Sequence, residues 1–248
     1  MSFLASLFTE VIYRPLLNGL VLIYVALPLA DLGLAIVRMT ALVRLLLHPA
    51  MVQAIRSQQA MGRVQPKLRE IQERFKGNRE EQARRTMALY REEGVHPLSG
   101  CLPLLIQLPA LIGLYRVFWK GITLQDPALF YSFVPHIAAF NPVAFGLFDL
   151  TGRSVVLALA AGVAQFFQGK FATPPGSTEP GMGAEFNRAL RLQMTYFFPF
   201  FIAVISWSLP SALALYWTAF SIFAIVEQRW IERRIKHERD LRAHQRDA

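Results

Sequence analysis

Apolar and charged positions alternate along the chain on the scale of membrane spans. Five apolar runs stand out, at 32–51, 101–119, 154–171, 195–209 and 211–226. The last two form one stretch interrupted by Pro210. A single helix over 195–226 would be about 48 Å long at about 1.5 Å per residue, against a hydrocarbon core of about 30 Å. Two helices of about 24 Å each, joined at Pro210, fit better and would thin the bilayer locally. The pattern therefore predicts an all-α membrane protein with five transmembrane helices. Residues 16–30, LLNGLVLIYVALPLA, are short for a span and contain Asn18 and Pro28. The reading favoured is a helix lying in the outer interface, with a sixth span as the alternative.

Between the first two runs the period changes. Met61, Val64, Leu68, Ile71 and Phe75 recur at steps of three and four, a coiled-coil stripe. Lys76-Gly77-Asn78 turns the chain, and Asn78 with Glu81 has the spacing of a capping box. Ala83, Met87 and Tyr90 continue an apolar stripe, and Gly94 suits a helix end. A helical hairpin follows, its first arm bent or broken at Pro66, which has no amide proton.

Charge orients these elements. The 52–100 segment carries ten Lys or Arg and the stretch from Arg229 to Arg246 seven, whereas none lies between Gly121 and Gly152. The positive-inside rule places both basic regions in the cytoplasm and the 121–152 loop outside. Five spans after an external N-terminus satisfy this, with Lys170, Arg188 and Arg191 also falling inside. The organisation expected is an external or interfacial helix (1–30), a first span (31–52), a cytoplasmic helical hairpin (53–96), spans two to five (97–228) with an external loop 121–152 and a cytoplasmic loop 170–194, and a basic cytoplasmic tail (229–248).

Composition agrees: 54% of residues are hydrophobic and 17% charged, below the roughly 25% of soluble domains. The net charge of +9 follows largely from topology. A single cysteine, Cys101, excludes a disulfide framework within the chain. Residues 1–13 hold no Lys or Arg and no clear cleavage site follows, so an uncleaved bacterial inner-membrane protein is expected.

Arg44 is the most informative residue. It lies within the apolar run VRMTALVRLLLHP, where a guanidinium costs about 2.5–3.5 kcal/mol on insertion scales. None of the five runs contains Asp or Glu, so water, backbone carbonyls or a bound group must meet its charge. Snorkelling toward the cytoplasmic headgroups is the other reading, and spacing alone does not choose between them. Thr40, four residues earlier, shares its helix face. Gln107, Gln165, Gln168, Thr195, Ser206, Tyr216, Trp217, Thr218 and Ser221 lie within or at the edges of apolar runs. They either line one hydrophilic groove or make ordinary interhelical hydrogen bonds. Arg38, about 240° around the helix from Arg44, is expected to reach outward near the external side.

The run GVHPLSGCLPLLIQLPALIGLYRVF (94–118) resembles the YidC/Oxa/Alb family of membrane insertases. TALVRLLLHP (40–49), QPKLREIQERFKGN, MALYREEGV and PSALALYW (210–217) resemble it in the same order, so the likeness covers 30–230. It implies five helices around a hydrophilic groove, open to cytoplasm and lipid and closed outside. Arg44 takes the place of the groove arginine, Thr40 that of a groove threonine, and Tyr216 and Trp217 those of last-span aromatics near the substrate. Gln107 and Gln165 carry over as groove residues more weakly. Arg38 stands where the family usually has an aliphatic residue, HPLSG replaces the more usual NPLGG, and there is no large periplasmic domain.

The function so implied is a membrane protein insertase and chaperone moving nascent membrane proteins from the cytoplasm into the bilayer. The expected partners are those proteins and lipid, with the ribosome, at the hairpin and tail, and the Sec translocon as further partners, and no DNA. No cofactor or metal is expected, and no ATP, because no phosphate-binding glycine loop occurs. An intramembrane enzyme is disfavoured: neither HExxH nor GxSxG occurs, and His48, His96 and His136 are far apart. A small anion channel or transporter, to which a lone intramembrane arginine is also suited, is the alternative.

Overall fold

The structure, a computed structural model, describes residues 3–28, 30–94, 102–119, 127–172 and 192–247. It is almost entirely helical. A two-stranded antiparallel sheet, β1 (Val143–Ala144) with β2 (Phe148–Asp149), is the one departure from an all-α fold among the described residues.

Helix α1 (Phe3–Phe8) passes through a π-helical turn (Thr9–Tyr13) into α2 (Arg14–Val25). Helicity thus begins well before residue 16. The polar positions that look like breakers are accommodated locally. Glu10 and Arg14 pair one turn apart at 2.5 Å, and the widened turn precedes Pro15, whose missing amide falls in the first turn of α2. Ala5–Val25 is one of three stretches long and apolar enough to cross a membrane, with α3 (Leu32–Arg74) and the first 31 residues of α8 (Ser211–Asp247). Shorter apolar helical stretches are Leu108–Val117, in α5 (Leu102–Trp119), and Val155–Phe171, in α6 (Val155–Ala172). A second π-turn (Gln193–Phe197) leads into α7 (Phe198–Ser208). The helix stops at Ser208 and restarts at Ser211, so Pro210 does separate two helices.

The chain forms two compact units. The first holds residues 1–46, 104–166 and 198–223. Its core joins Leu17, Leu20 and Val21 of α2 to Leu32, Ile36 and Met39 of α3, Leu114 and Val117 of α5, and Ala212 to Tyr216 of α8. Small residues bring backbones close: a Cβ on Gly162 of α6 would lie 2.8 Å from that of Ala203 in α7. The outward faces are apolar, with Leu45 and Leu46 about 70% exposed, as expected for a surface solvated by lipid.

The second unit holds residues 47–103, 167–197 and 224–248 and contains the hairpin. Its first arm is not a separate helix, because α3 runs on through Pro49 and Pro66 to Arg74, so the chain is not broken at Pro66. Gly77, at φ 102°, makes the turn into α4 (Arg79–Glu92). Asn78 caps α4, its side chain accepting the Glu81 amide at 3.1 Å. The reciprocal half of the capping box is missing. Asn78 donates its own amide to Phe75 O, and the Glu81 carboxylate instead binds Arg84 and Arg85, which holds it well below its ordinary value, at about 2. Val64 and Leu68 pack against Leu89 and Tyr90. Ala83 and Met87 are exposed, not part of this seam. The inward face of α4 is set one residue away from them, along Gln82, Thr86 and Leu89, and a Lys67–Glu93 ion pair at 2.5 Å closes the open end.

Candidate functional site

Two stripes run along α3. Arg38, Leu42, Leu45 and Leu46 share an exposed face, while Ile36, Thr40 and Arg44 follow one another at four-residue steps on the buried one. Arg38 and Arg44 therefore diverge, as their spacing requires. Arg44 is 8% exposed, and its guanidinium carbon lies 4.3 Å from the centre of the Phe220 ring on α8. A planar, weakly hydrated cation suits that contact. Tyr216, one turn earlier on α8, is tilted against Phe220 at 6.1 Å. Arg44, Phe220 and Tyr216 thus form a row between α3 and α8.

Thr40 is also buried, but its hydroxyl donates back to Ile36 O at 2.7 Å. This satisfies the proton inside the helix and leaves the oxygen lone pairs as the polar feature it presents.

The other polar centre joins α6 to α8. Gln165 Oε1 accepts from Trp217 Nε1 at 2.9 Å and from Ser221 Oγ at 3.4 Å. Trp217 and Ser221 lie one turn apart, so a single amide oxygen reads one face of α8. Of the six groove residues expected from the sequence, Arg44 and Tyr216 share Phe220 as a neighbour, Gln165 and Trp217 bond directly, and Thr40 lies one turn from Arg44. The Gln107 side chain lies outside the described residues.

Three participants carry no motif of their own. Phe220 is one aromatic among 19 phenylalanines. Its only sequence signal is a four-residue offset from Tyr216. The second pair is His48 and Glu227, with Nδ1 and Oε1 2.8 Å apart and the His48 ring 5.4 Å from that of Trp230. Glu227 is the first titratable group after the run 211–226 and His48 lies near the end of the run 32–51, a signal of position and not of chemistry. Among the described residues, no three His, Cys, Asp or Glu side chains stand together to hold a metal.

The start of α8 is held by the loop before α6. Ser211 and Ala212 donate their amides to Gly152 O (2.8 Å) and Leu150 O (3.1 Å), and Ser211 Oγ donates to Asp149 O at 2.5 Å. Amides that the first turn of a helix leaves open are thereby satisfied away from water. Asn18, 1% exposed, does the same for the facing segment. It donates to Leu129 O and Arg14 O, both at 2.8 Å, and accepts from Tyr131 N at 2.9 Å.

Known proteins carry the same pattern. The family model described as 60Kd inner membrane protein matches residues 24–239. A membrane protein insertase YidC of Oceanobacillus iheyensis is 34% identical over 200 residues, 79% of this chain and 72% of that protein. Proteins of the same name from Syntrophobacter fumaroxidans and Francisella philomiragia are each 31% identical, over 81% and 80% of this chain. The chain spans only about a third of the length of those two, 34% and 32%. The match runs from before the helix that carries Arg44 to within the last third of the one that carries Phe220, and on it this chain belongs to the 60Kd inner membrane protein family, the family of YidC and Oxa1.

Proposed function

We propose that this chain is a membrane protein insertase of the bacterial inner membrane, working through a hydrated groove that contains Arg44. The observation that carries the proposal is Arg44 itself: a charged side chain 8% exposed, within an apolar helix, in a chain whose relatives are named insertases. A cation so placed shortens the low-dielectric path for an acidic segment that must cross, by attracting it partway. The apolar remainder of the substrate then passes into lipid as it leaves water. Nascent membrane proteins are the substrates on this reading, the hairpin and the basic end of α8 receive them or the ribosome, and the Sec translocon is a further partner.

The proposed topology has five spans, an external N-terminus and a cytoplasmic C-terminus. Several contacts support it. The residue before α3 and the first residue of α8 both meet the 143–152 loop, through Asp31 Oδ2 with Phe145 N and through Ser211 with Asp149 and Gly152. That loop holds no Lys or Arg. Farther along the same helices His48 meets Glu227, and Gln228 donates to Phe171 O at 3.0 Å. An apolar run of 16 residues such as 211–226 makes a helix of about 24 Å at 1.5 Å per residue. That is less than the roughly 30 Å of hydrocarbon, which favours a locally thinned bilayer. Within this frame α1 and α2 meet outer parts of the spans among the described residues, Gly19 near Met39, Leu16 near Gly113 and Phe8 under Arg116. This supports an interfacial helix despite its length.

Two measurements test the reading. Photocrosslinkers at Arg44 and Trp217 should capture a stalled nascent single-span protein, and purified protein in vesicles should insert such a substrate. Selective anion flux without insertion would replace the proposal with a channel.

A further inference from the structure

We propose that the loop between α5 and α6 is a lipid anchor, with the tip of its β-hairpin seated in the headgroup–acyl boundary of the leaflet where α3 and α8 begin.

The first observation is compositional. From 127 to 148 there is no Asp, Glu, Lys or Arg, although much of this segment is on the surface. Leu147 is 79% exposed, Phe133 70%, Phe145 46% and Val143 39%. Single exposed apolar residues need no explanation, but a run of them on an uncharged loop marks a contact surface.

The second is conformational. Phe145 adopts φ 53° and Gly146 φ 68°. Tight hairpins that need positive φ ordinarily take Asn, Asp or Gly, which tolerate it and hydrogen-bond to water. Phenylalanine has neither property, so a turn built for water would not place it there. A turn whose outward side chains enter an apolar phase would.

The third is height. Phe145 N is held by Asp31, which also caps α3 by accepting the Leu34 amide at 2.8 Å. A Cβ on Gly33 would fall 2.5 Å from that of Ala144, so hairpin and helix are in direct backbone approach. Because α3 and α8 turn apolar at Leu32 and Ser211, these contacts put the hairpin where hydrocarbon begins. The Leu147 amide closes the turn on Ala144 O at 3.0 Å, so the tip extends less than about 7 Å beyond Ala144, comparable to the roughly 5–10 Å depth of interfacial segments. The partner is therefore lipid already present around the spans, and no further protein is needed to cover the tip.

The inference needs the membrane but not the insertase reading, so either can fail alone. The test uses the full chain in lipid nanodiscs, with Cys101→Ser and Leu147→Cys labelled with an environment-sensitive fluorophore. Phe133→Cys serves as a second reporter and Gln245→Cys, exposed near the end of α8, as the aqueous control. Emission from both loop sites should shift to the blue relative to the control. It should be quenched by nitroxides placed shallowly on lipid and be insensitive to iodide. Quenching by iodide without quenching by lipid would put the tip in water, and insensitivity to both would mean that a protein surface covers it. Either result overturns the proposal.

Discussion

Replacing Arg44 by Ala removes the one feature on which the proposed mechanism turns. Arg44 is 8% exposed and its guanidinium carbon lies 4.3 Å from the centre of the Phe220 ring, so an incoming carboxylate that reaches it does so in surroundings far less polar than water. With an effective dielectric of about 20, two unit charges attract by about 4 kcal/mol at 4 Å and about 2 kcal/mol at 8 Å. The larger separation suits a mobile segment that keeps some of its water. At about 1.4 kcal/mol per decade of rate, Arg44→Ala should slow insertion of an acidic segment about 30-fold. A segment with Asn in place of Asp should be slowed little, and Arg44→Lys, which keeps the charge but not the planar stacking, should retain most of the rate. The assay is protease protection over time, using purified variants reconstituted at equal density and a single-span substrate in acidic and neutral forms. Equal slowing of both substrates, or of neither, would refute the electrostatic account.

Three further outcomes follow from other contacts. Gln165→Leu strands Trp217 Nε1 and Ser221 Oγ; at about 0.6 kcal/mol and at most about 1.7 for each intramembrane hydrogen bond, the thermal midpoint in detergent should fall modestly and the Trp217 emission should change. Gly162→Ala puts a Cβ 2.8 Å from that of Ala203 and 3.1 Å from Pro199 O, costing about 1–3 kcal/mol by overpacking. Gly113→Ala meets side-chain ends, Leu16 Cδ1 at 2.6 Å and Ile12 Cγ2 at 3.3 Å, and should cost less in the same melts. Glu81 has its carboxyl depressed from 4.5 to about 2 by hydrogen bonds from Arg84 and Arg85, so its contribution is complete above pH 4.5 and lost as the pH falls through about 2. Hydrogen exchange at the first turn of α4 should quicken over that interval, and Glu81→Gln should abolish the dependence.

Elements governed by local rules were legible without coordinates. Pro210 ends one helix and permits the next because it can neither donate nor follow a helical residue comfortably. Asn78 caps α4 because its side chain reaches the Glu81 amide from the preceding turn. That Arg44 shares a helix face with Thr40, and that Arg38 does not, follows from the helical period. What escaped notice depends on partners distant in sequence. The continuity of α3 through Pro66 and the onset of helicity at Phe3 were hidden by residues that usually break helices, and the π-turn before Pro15 shows how one of them is absorbed. Of the apolar stripe read along α4, Tyr90 packs against the first arm beside Leu89, whereas Ala83 and Met87 stay exposed. Phe220, Gln165 with Ser221, and His48 with Glu227 meet only once helices far apart in the chain are packed, and their spacing does not encode those meetings.

Asn18 has a consequence for how the outer face of the protein holds its shape. In a sheet, a peptide group is satisfied by the neighbouring strand, which offers an acceptor and a donor side by side. The amide of Asn18 offers that same pair to Leu129 and Tyr131, so one side chain imitates a missing strand. The loop it grips has no ladder of its own at that point, yet opening it exposes two polar backbone groups in a dry place. It should thus share the fate of α2, staying closed while that helix is folded and letting go only when the helix does.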